Sequence, residues 1–240
     1  MNSYQNKKVK ISIENISKSY DEIKVLKNIN IKVYDGEFIS ILGPSGCGKS
    51  TIFNIIANLT DYSSGSIDID GKLSYMYQKD LLLPYKTIID NVCLPLILMK
   101  SKKDTAYEKV KLYFELFGLE GYENKYPSEL SGGMKQRANF LRTFINSNDI
   151  MLLDEPFGAL DAITKASMQR WLLEVKNKLN STILLITHDI DEAIMLSDRI
   201  YVISKKPSHI KKEFIINKDN YKKDNLEDRE KLKKEIIKFI

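Results

Sequence analysis

The sequence predicts an α/β protein: a mostly parallel sheet covered by helices, with a β-rich opening and a helical insert. Three observations predict it. Strand-like and helix-like stretches alternate from residue 150 onward, a Gly-x-x-x-x-Gly-Lys-Ser run sits between a short apolar strand and a helix, and the hydrophobic period between residues 87 and 146 is helical.

Residues 9–16 and 29–33 alternate polar and apolar side chains in the manner of half-buried strands, and residues 38–42 form a short apolar strand ending in glycine. Residues 48–59 read as a helix, with Ile52, Ile55, Ile56 and Leu59 on one stripe, stopped by Ser63, Ser64 and Gly65. Strands are predicted over 66–69 and 73–78. The helical stretch, residues 87–146, includes Val110, Phe114 and Phe117 and is interrupted by Gly118, Gly121, Pro127 and the Ser131-Gly132-Gly133 turn. Strand 150–153, helix 163–179, strand 183–187, helix 190–196 and strand 200–203 follow, an alternation that argues for a mostly parallel sheet covered by helices. Residues 226–240 place Leu232, Ile236 and Ile240 on one stripe of a closing amphipathic helix. The expected organisation is one domain over 1–240, with a core of 1–86 and 147–204, a helical subdomain of about 87–146, and a C-terminal strand and helix in 205–240.

With 240 residues, 43% of them hydrophobic and 29% charged, the chain is of ordinary globular composition, which excludes collagen-like, mucin-like and wholly disordered classes. Cys47 and Cys93 alone give no disulfide framework and fit a reducing cytosol. The apolar run 93–99 is far short of the roughly 18 residues needed to cross a bilayer, and the first 16 residues contain no apolar core of signal-peptide length, so a chain that is neither spanning nor exported is expected. Of the net charge of +5, residues 205–240 carry all: 12 Lys and Arg against 7 Asp and Glu, leaving 25 against 25 in the rest. A basic tail on a neutral body reads as a solvated face, and no nucleic-acid partner is expected.

Gly43, Pro44, Ser45, Gly46, Cys47, Gly48, Lys49 and Ser50 fit the phosphate-binding pattern G-x-x-x-x-G-K-[ST], with Thr51 extending the nucleotide-binding run into the helix. Its glycines let backbone N–H groups turn inward around phosphate oxygens, and the helix N-terminus behind them favours an anion. Lys49 adds a point charge toward the β and γ phosphates, and Ser50 offers a hydroxyl to Mg²⁺. Cys47, at a helix N-terminus, stands where a thiol pKa tends to fall, although burial would leave it inert. Farther on, an apolar strand ends in Asp154 and Glu155, adjacent acids that repel unless a cation or water engages them. Asp154 is the candidate Mg²⁺ ligand and Glu155 the candidate for orienting or deprotonating the attacking water.

Leu130-Ser131-Gly132-Gly133-Met134-Lys135-Gln136-Arg137, between that loop and the run Asp154-Glu155-Pro156-Phe157-Gly158-Ala159-Leu160-Asp161, resembles the signature motif of ABC-type ATPases over about residues 9–204. The resemblance implies a P-loop NTPase (RecA-like) core with an antiparallel β subdomain and an inserted helical subdomain. It implies ATP and Mg²⁺ as ligands and ATP hydrolysis as the activity. Tyr20 matches the residue that stacks on adenine, though a tyrosine there also suits a core. Gln78 matches the glutamine that touches Mg²⁺ and couples the site to a membrane partner, Asp161 the D-loop acid that contacts the opposite subunit, and His188 the switch histidine at the γ-phosphate.

Ser131, Gly132, Gly133 and Gln136 would reach across a head-to-tail homodimer to the other copy's ATP. Integral-membrane permease subunits, an extracytoplasmic solute-binding protein acting indirectly, and a peripheral place on the cytoplasmic face of the membrane are implied with them. The stretches around Thr164, Met168 and His188 resemble importers of nitrate, sulfonate, taurine and thiamine-precursor pyrimidines, and Leu141-Arg142-Thr143-Phe144 leans toward the pyrimidine members. No additional C-terminal regulatory domain is expected. Leu81, Leu82, Leu83, Pro84 and Tyr85 are either a permease-facing patch or the start of the helical core. The alternative function is a soluble ABC ATPase acting on nucleic acid or ribosomes, but no heptad run supports it.

Overall fold

The structure is a computed structural model that describes residues 7–79, 81–147, 149–216 and 226–240. The expectations for the first six residues and for the stretch 217–225 of the basic tail lie outside the described residues. The chain divides into two compact units, one of Met1–Gly71 with Ser181–Ile240 and one of Lys72–Asn180.

In the first unit, β1 (Val9–Tyr20) and β2 (Ile23–Tyr34) form an antiparallel hairpin, and β4 (Ser64–Ile69) adds to the free side of β1. The hairpin is longer than the alternation predicts. Asn15 and Asn28 adopt φ of +53° and +50° at register shifts, and Asn15 N–H donates to Asn30 Oδ1 at 2.9 Å. Such bulges break the period of two that sequence reading relies on, while leaving the strands paired.

In the same unit, β3 (Phe38–Leu42) lies parallel to β7 (Thr182–Thr187) and to β8 (Arg199–Ile203), and β9 (Ile210–Ile215) closes antiparallel on β8. Every residue of β3, β7 and β8 is buried, as a strand covered on both faces must be. Its polar members are paired: Ser40 Oγ lies 2.5 Å from Ser197 Oγ. Buried Glu37 accepts Nε–H and Nη2–H from buried Arg199 at 2.5 and 2.9 Å, while Arg199 Nη1–H reaches Glu213 at 2.6 Å.

Helix α1 (Lys49–Ile56) is shorter than the predicted 48–59. Asn58 turns left-handed at φ +55°, Leu59 N–H donates back to Asn54 at 2.8 Å, and Leu59 is thrown outward to 58% exposure. The short helix α6 (Ile190–Leu196) and the closing helix α7 (Leu226–Ile237) also belong here. Ile236 is wholly buried against Ala193, Ile194 and Phe214, with Leu232 beside them, whereas Ile240 remains partly exposed.

The second unit pairs β5 (Leu73–Met76) parallel to β6 (Ile150–Asp154) and carries helices α2 (Ile88–Leu98), α3 (Lys103–Lys111), α4 (Gly132–Asn146) and α5 (Ala162–Leu179). Phe117, Phe140, Phe144, Phe157 and Trp171 pack ring to ring at centroid distances of 5.3 to 6.0 Å, which supplies this unit's aromatic core. Among the described residues, no helix is long and apolar enough to cross a membrane.

Candidate functional site

The register of β3 against β7 pairs Leu42 with Thr187, so Gly43 and His188 leave adjacent parallel strands at the same, carboxyl end. That end is where ligands of open α/β sheets bind. Residues 43–48 then turn into α1, with Gly46 and Gly48 at φ of +71° and +111°, a region that costs a side-chain-bearing residue strain. Gly48 starts the helix with no side-chain cap and no acid in the first turn, which leaves its N–H groups and positive end open to an anion. Lys49 is buried and folds its ammonium over the loop, donating to the carbonyls of Gly43 at 2.8 Å and Pro44 at 2.9 Å. Ser45, Gly46 and Ser50 are exposed, and Thr51 is half-buried. The loop predicted to cradle phosphate thus folds with its lysine held by the loop's own carbonyls.

Tyr20 ends β1 and is 44% exposed, with Lys18 Nζ 4.7 Å from its ring centroid, so it is not a core residue. Exposed His188 precedes Asp189, which caps α6 by accepting from Glu192 N–H at 3.2 Å. Cys47 is buried, and desolvation raises its thiol above the ordinary value, opposed by nearby Lys49. Burial thus outweighs the helix-end effect that the sequence position invites.

The acidic group is in the second unit. Met76 pairs with Leu153, so Gln78 and Asp154–Glu155 leave neighbouring parallel strands at one end. Asp154 is buried and accepts from Tyr75 Oη at 3.3 Å; burial, then the charge of Asp154, raises the tyrosine pKa far above its usual value, so Tyr75 is the donor of this bond. Glu155 takes φ +44°, an unusual conformation for a residue with a side chain, and accepts from Gln78 Nε2 at 3.2 Å. Sequence reading missed both Tyr75 and the left-handed turn at Glu155. An aromatic at alternate strand positions, Tyr75 and Tyr77, is the one signal it had, and these rings stack at 4.2 Å.

Ser131 caps α4, accepting from Met134 N–H at 3.3 Å, so the Ser-Gly-Gly turn does open a helix. Gly133 lies so close to the start of α5 that a Cβ there would come 2.9 Å from Thr164 Cγ2. Gln136 donates to the Pro156 carbonyl. Asp161 caps α5 through Ile163 and Thr164 N–H at 3.1 and 3.0 Å and accepts from Thr164 Oγ1 at 2.6 Å; the Thr164 bonds hold its carboxyl below the usual range.

In the second unit a groove of about 420 Å³ is lined by Tyr75, Tyr77, Leu81, Pro95, Leu98 and Arg142. Arg142 donates to the Leu81 carbonyl at 2.8 Å and to Asn139 Oδ1 at 2.7 Å. Leu81, Tyr85, Leu98 and Met99 are exposed, while Leu82 is buried, so the 81–85 stretch is part surface and part core.

A family profile described as ABC transporter matches residues 26–158. The formylaminopyrimidine import ATP-binding protein of Halalkalibacterium halodurans is 44% identical over 202 residues, which cover 83% of this chain and 81% of that protein. An aliphatic sulfonates import ATP-binding protein of Bacillus cereus is 40% identical over 240 residues, covering 95% and 94%. Among solved structures, the dimeric post-hydrolysis state of an ATP-binding cassette bound to ADP and Pi matches with a TM-score of 0.74 and 30% identity, over 86% of this chain and 99% of that one.

Proposed function

Since the chain belongs to the ABC transporter family, whose ATP-binding cassettes hydrolyse ATP, we propose that it is the ATPase subunit driving a separate importer permease, with the site residues acting as follows. The observation that carries the reading is the lysine-bearing glycine loop leaving β3 beside His188 at the carboxyl end of the sheet. The loop residues 43–51 hold the phosphates, Lys49 leaving its carbonyl partners for the β and γ phosphates, and Tyr20 offers a half-exposed ring to adenine. His188 contacts the γ-phosphate.

Ser50, Asp154 and Gln78 each carry an oxygen donor of the kind Mg²⁺ prefers, and the Asp154 carboxylate is already buried and hydrogen-bonded, so the chemistry of these residues suits that ion. Bound there, Mg²⁺ would neutralise charge developing on the phosphates. Glu155 takes the proton of the attacking water, and Gln78 fixes its carboxylate for that role. Ser131, Gly132, Gly133 and Gln136 serve the nucleotide of a second copy in a head-to-tail dimer, with Asp161 at the same interface. Two equivalent composite sites follow from the two-fold axis. ATP closes this dimer because only the closed state gives it both sets of contacts, and hydrolysis removes them.

The exposed groove at Leu81, Leu98 and Met99 takes the permease, which places the chain at the cytoplasmic face of a membrane; an extracytoplasmic binding protein delivers the solute. The transported solute is of the sulfonate, nitrate, taurine or thiamine-precursor pyrimidine type, consistent with the names of the relatives; those names lend no support to a soluble ATPase acting on nucleic acid or ribosomes.

The test is direct. Lys49→Ala should abolish ATP binding measured by calorimetry, and a non-cleavable ATP analogue should double the mass seen by light scattering. Leu81→Glu should reduce uptake in vesicles carrying the permease while the ATPase rate of the isolated chain is kept. Binding by Lys49→Ala at the wild-type affinity would overturn the reading of the loop.

A further inference from the structure

A loop that points its N–H groups at an anion must point its carbonyl groups elsewhere, and carbonyls in a buried wall need donors. One such donor comes from far along the chain. Ser208, in the connection between β8 and β9, is fully buried, and its Oγ–H donates to the carbonyl of Cys47. Its backbone is fixed on the other side: Ser208 N–H donates to the Val25 carbonyl at 2.9 Å, and its own carbonyl accepts from Lys27 N–H at 2.8 Å. Three bonds thus clamp one residue between β2 and the glycine loop. The same wall sets the shape of the loop, since a Cβ on Gly48 would come 3.0 Å from Leu26, 3.1 Å from Val25 and 3.7 Å from Ser208 Oγ.

We infer that Ser208 is a positioning residue for nucleotide binding: by holding the Cys47 carbonyl against the wall, it aims the Gly48 N–H into the cradle. The peptide plane makes this obligatory. In a trans peptide the carbonyl of Cys47 and the N–H of Gly48 point in opposite directions, so a donor that fixes the first fixes the second. Gly48 at φ +111° cannot supply that constraint itself, because glycine adopts many conformations at similar energy. Nothing in the sequence around Ser208 announces the role, which rests on the reading of residues 43–51 as a phosphate cradle.

The experiment compares Ser208→Ala with Ser208→Thr, reading equilibrium binding of ADP and ATP, KM and kcat for ATP, and the melting temperature without nucleotide. Ser208→Ala is expected to raise both dissociation constants and the KM by roughly 3- to 10-fold, the change that losing one hydrogen bond produces, with kcat changed less than KM. Ser208→Thr keeps the donor and should restore affinity. Unchanged affinity in Ser208→Ala, or equal loss in both variants, overturns the inference, because the hydroxyl would then not be the cause. A lower melting temperature with unchanged affinity overturns it as well.

In the unaltered chain, ADP should slow amide exchange in residues 204–209 along with residues 43–51, and exchange at 204–209 that ignores ADP counts against Ser208 even if the alanine variant does not fold. Lys49→Ala separates the two levels: if it binds ADP normally, the cradle reading fails and not the role of Ser208 alone.

Discussion

The side-chain amide of Gln78 donates to the carboxylate of Glu155 at 3.2 Å, bringing together a residue just beyond β5 and one just beyond β6. The glutamine that follows Tyr77 of the groove therefore touches the acid proposed to act on water. Glu155→Gln is expected to lower turnover by roughly 10²- to 10⁴-fold while ATP still binds, the span of losing a general base. Phosphate release and light scattering check it: a dimer that persists with ATP but turns over at the wild-type rate would assign the base elsewhere.

Tyr75→Phe isolates a single hydroxyl. The ring stays stacked on Tyr77, but Asp154 loses a donor at 3.3 Å. One net hydrogen bond of about 0.5–1.5 kcal/mol corresponds to an increase of roughly 2- to 12-fold in the Mg²⁺ concentration that half-saturates ATPase activity. A titration with Mg²⁺ at fixed ATP measures it, and an unchanged midpoint would detach Tyr75 from the proposed metal site.

Gly133→Ala should impair dimer closure more than Gly132→Ala. The added methyl meets Thr164 Cγ2 at 2.9 Å in the first case and only Leu160, at 3.9 Å, in the second. Overpacking of this kind typically costs about 1–3 kcal/mol. Adding Thr164→Ser removes the opposing methyl while keeping the hydroxyl that bonds Asp161 at 2.6 Å, so the double variant should recover ATP-induced dimerisation in a sedimentation assay.

Both thiols should resist alkylation. Burial raises Cys47 above its ordinary value and pushes Cys93 up to about 12, where the charge of Asp90 adds to the effect, so at pH 7 each is almost wholly protonated and the reactive thiolate is scarce. Iodoacetamide should label the folded chain slowly at pH 7, faster as pH rises, and rapidly after denaturation. Fast labelling of Cys47 at neutral pH would show that the helix N-terminus outweighs burial.

Glu37→Ala leaves Arg199 buried with its bidentate partner gone, and breaking such a pair costs about 3–5 kcal/mol. Urea denaturation should register the loss. A cost under 1 kcal/mol would mean that Glu213, 2.6 Å from Arg199, compensates.

Much of this was legible because local sequence and global fold agree. Residues 38–42 and 150–153 are short apolar strand segments, and the Gly-rich loop and the adjacent acids stand at their carboxyl ends. Other features depend on backbone twists or on distant partners, to which periodicity is blind. Asn15 and Asn28 hide the length of the hairpin, Asn58 ends α1 before Leu59, and Glu155 turns left-handed where any residue could have stood. Tyr75 finds Asp154 across 79 residues, and Ser208 finds Cys47 across 161. Hydrogen bonds at such separations leave no trace in a window of a few turns.

The first unit is written in two separated stretches of chain, whereas the second is continuous. During synthesis, β3 leaves the ribosome long before β7 and β8 exist to cover it, so a nearly all-apolar strand waits unpaired while the intervening unit completes itself. The strand that runs into the glycine loop is thus open to aggregation during synthesis, and a holdase acting there would protect yield without touching the finished enzyme.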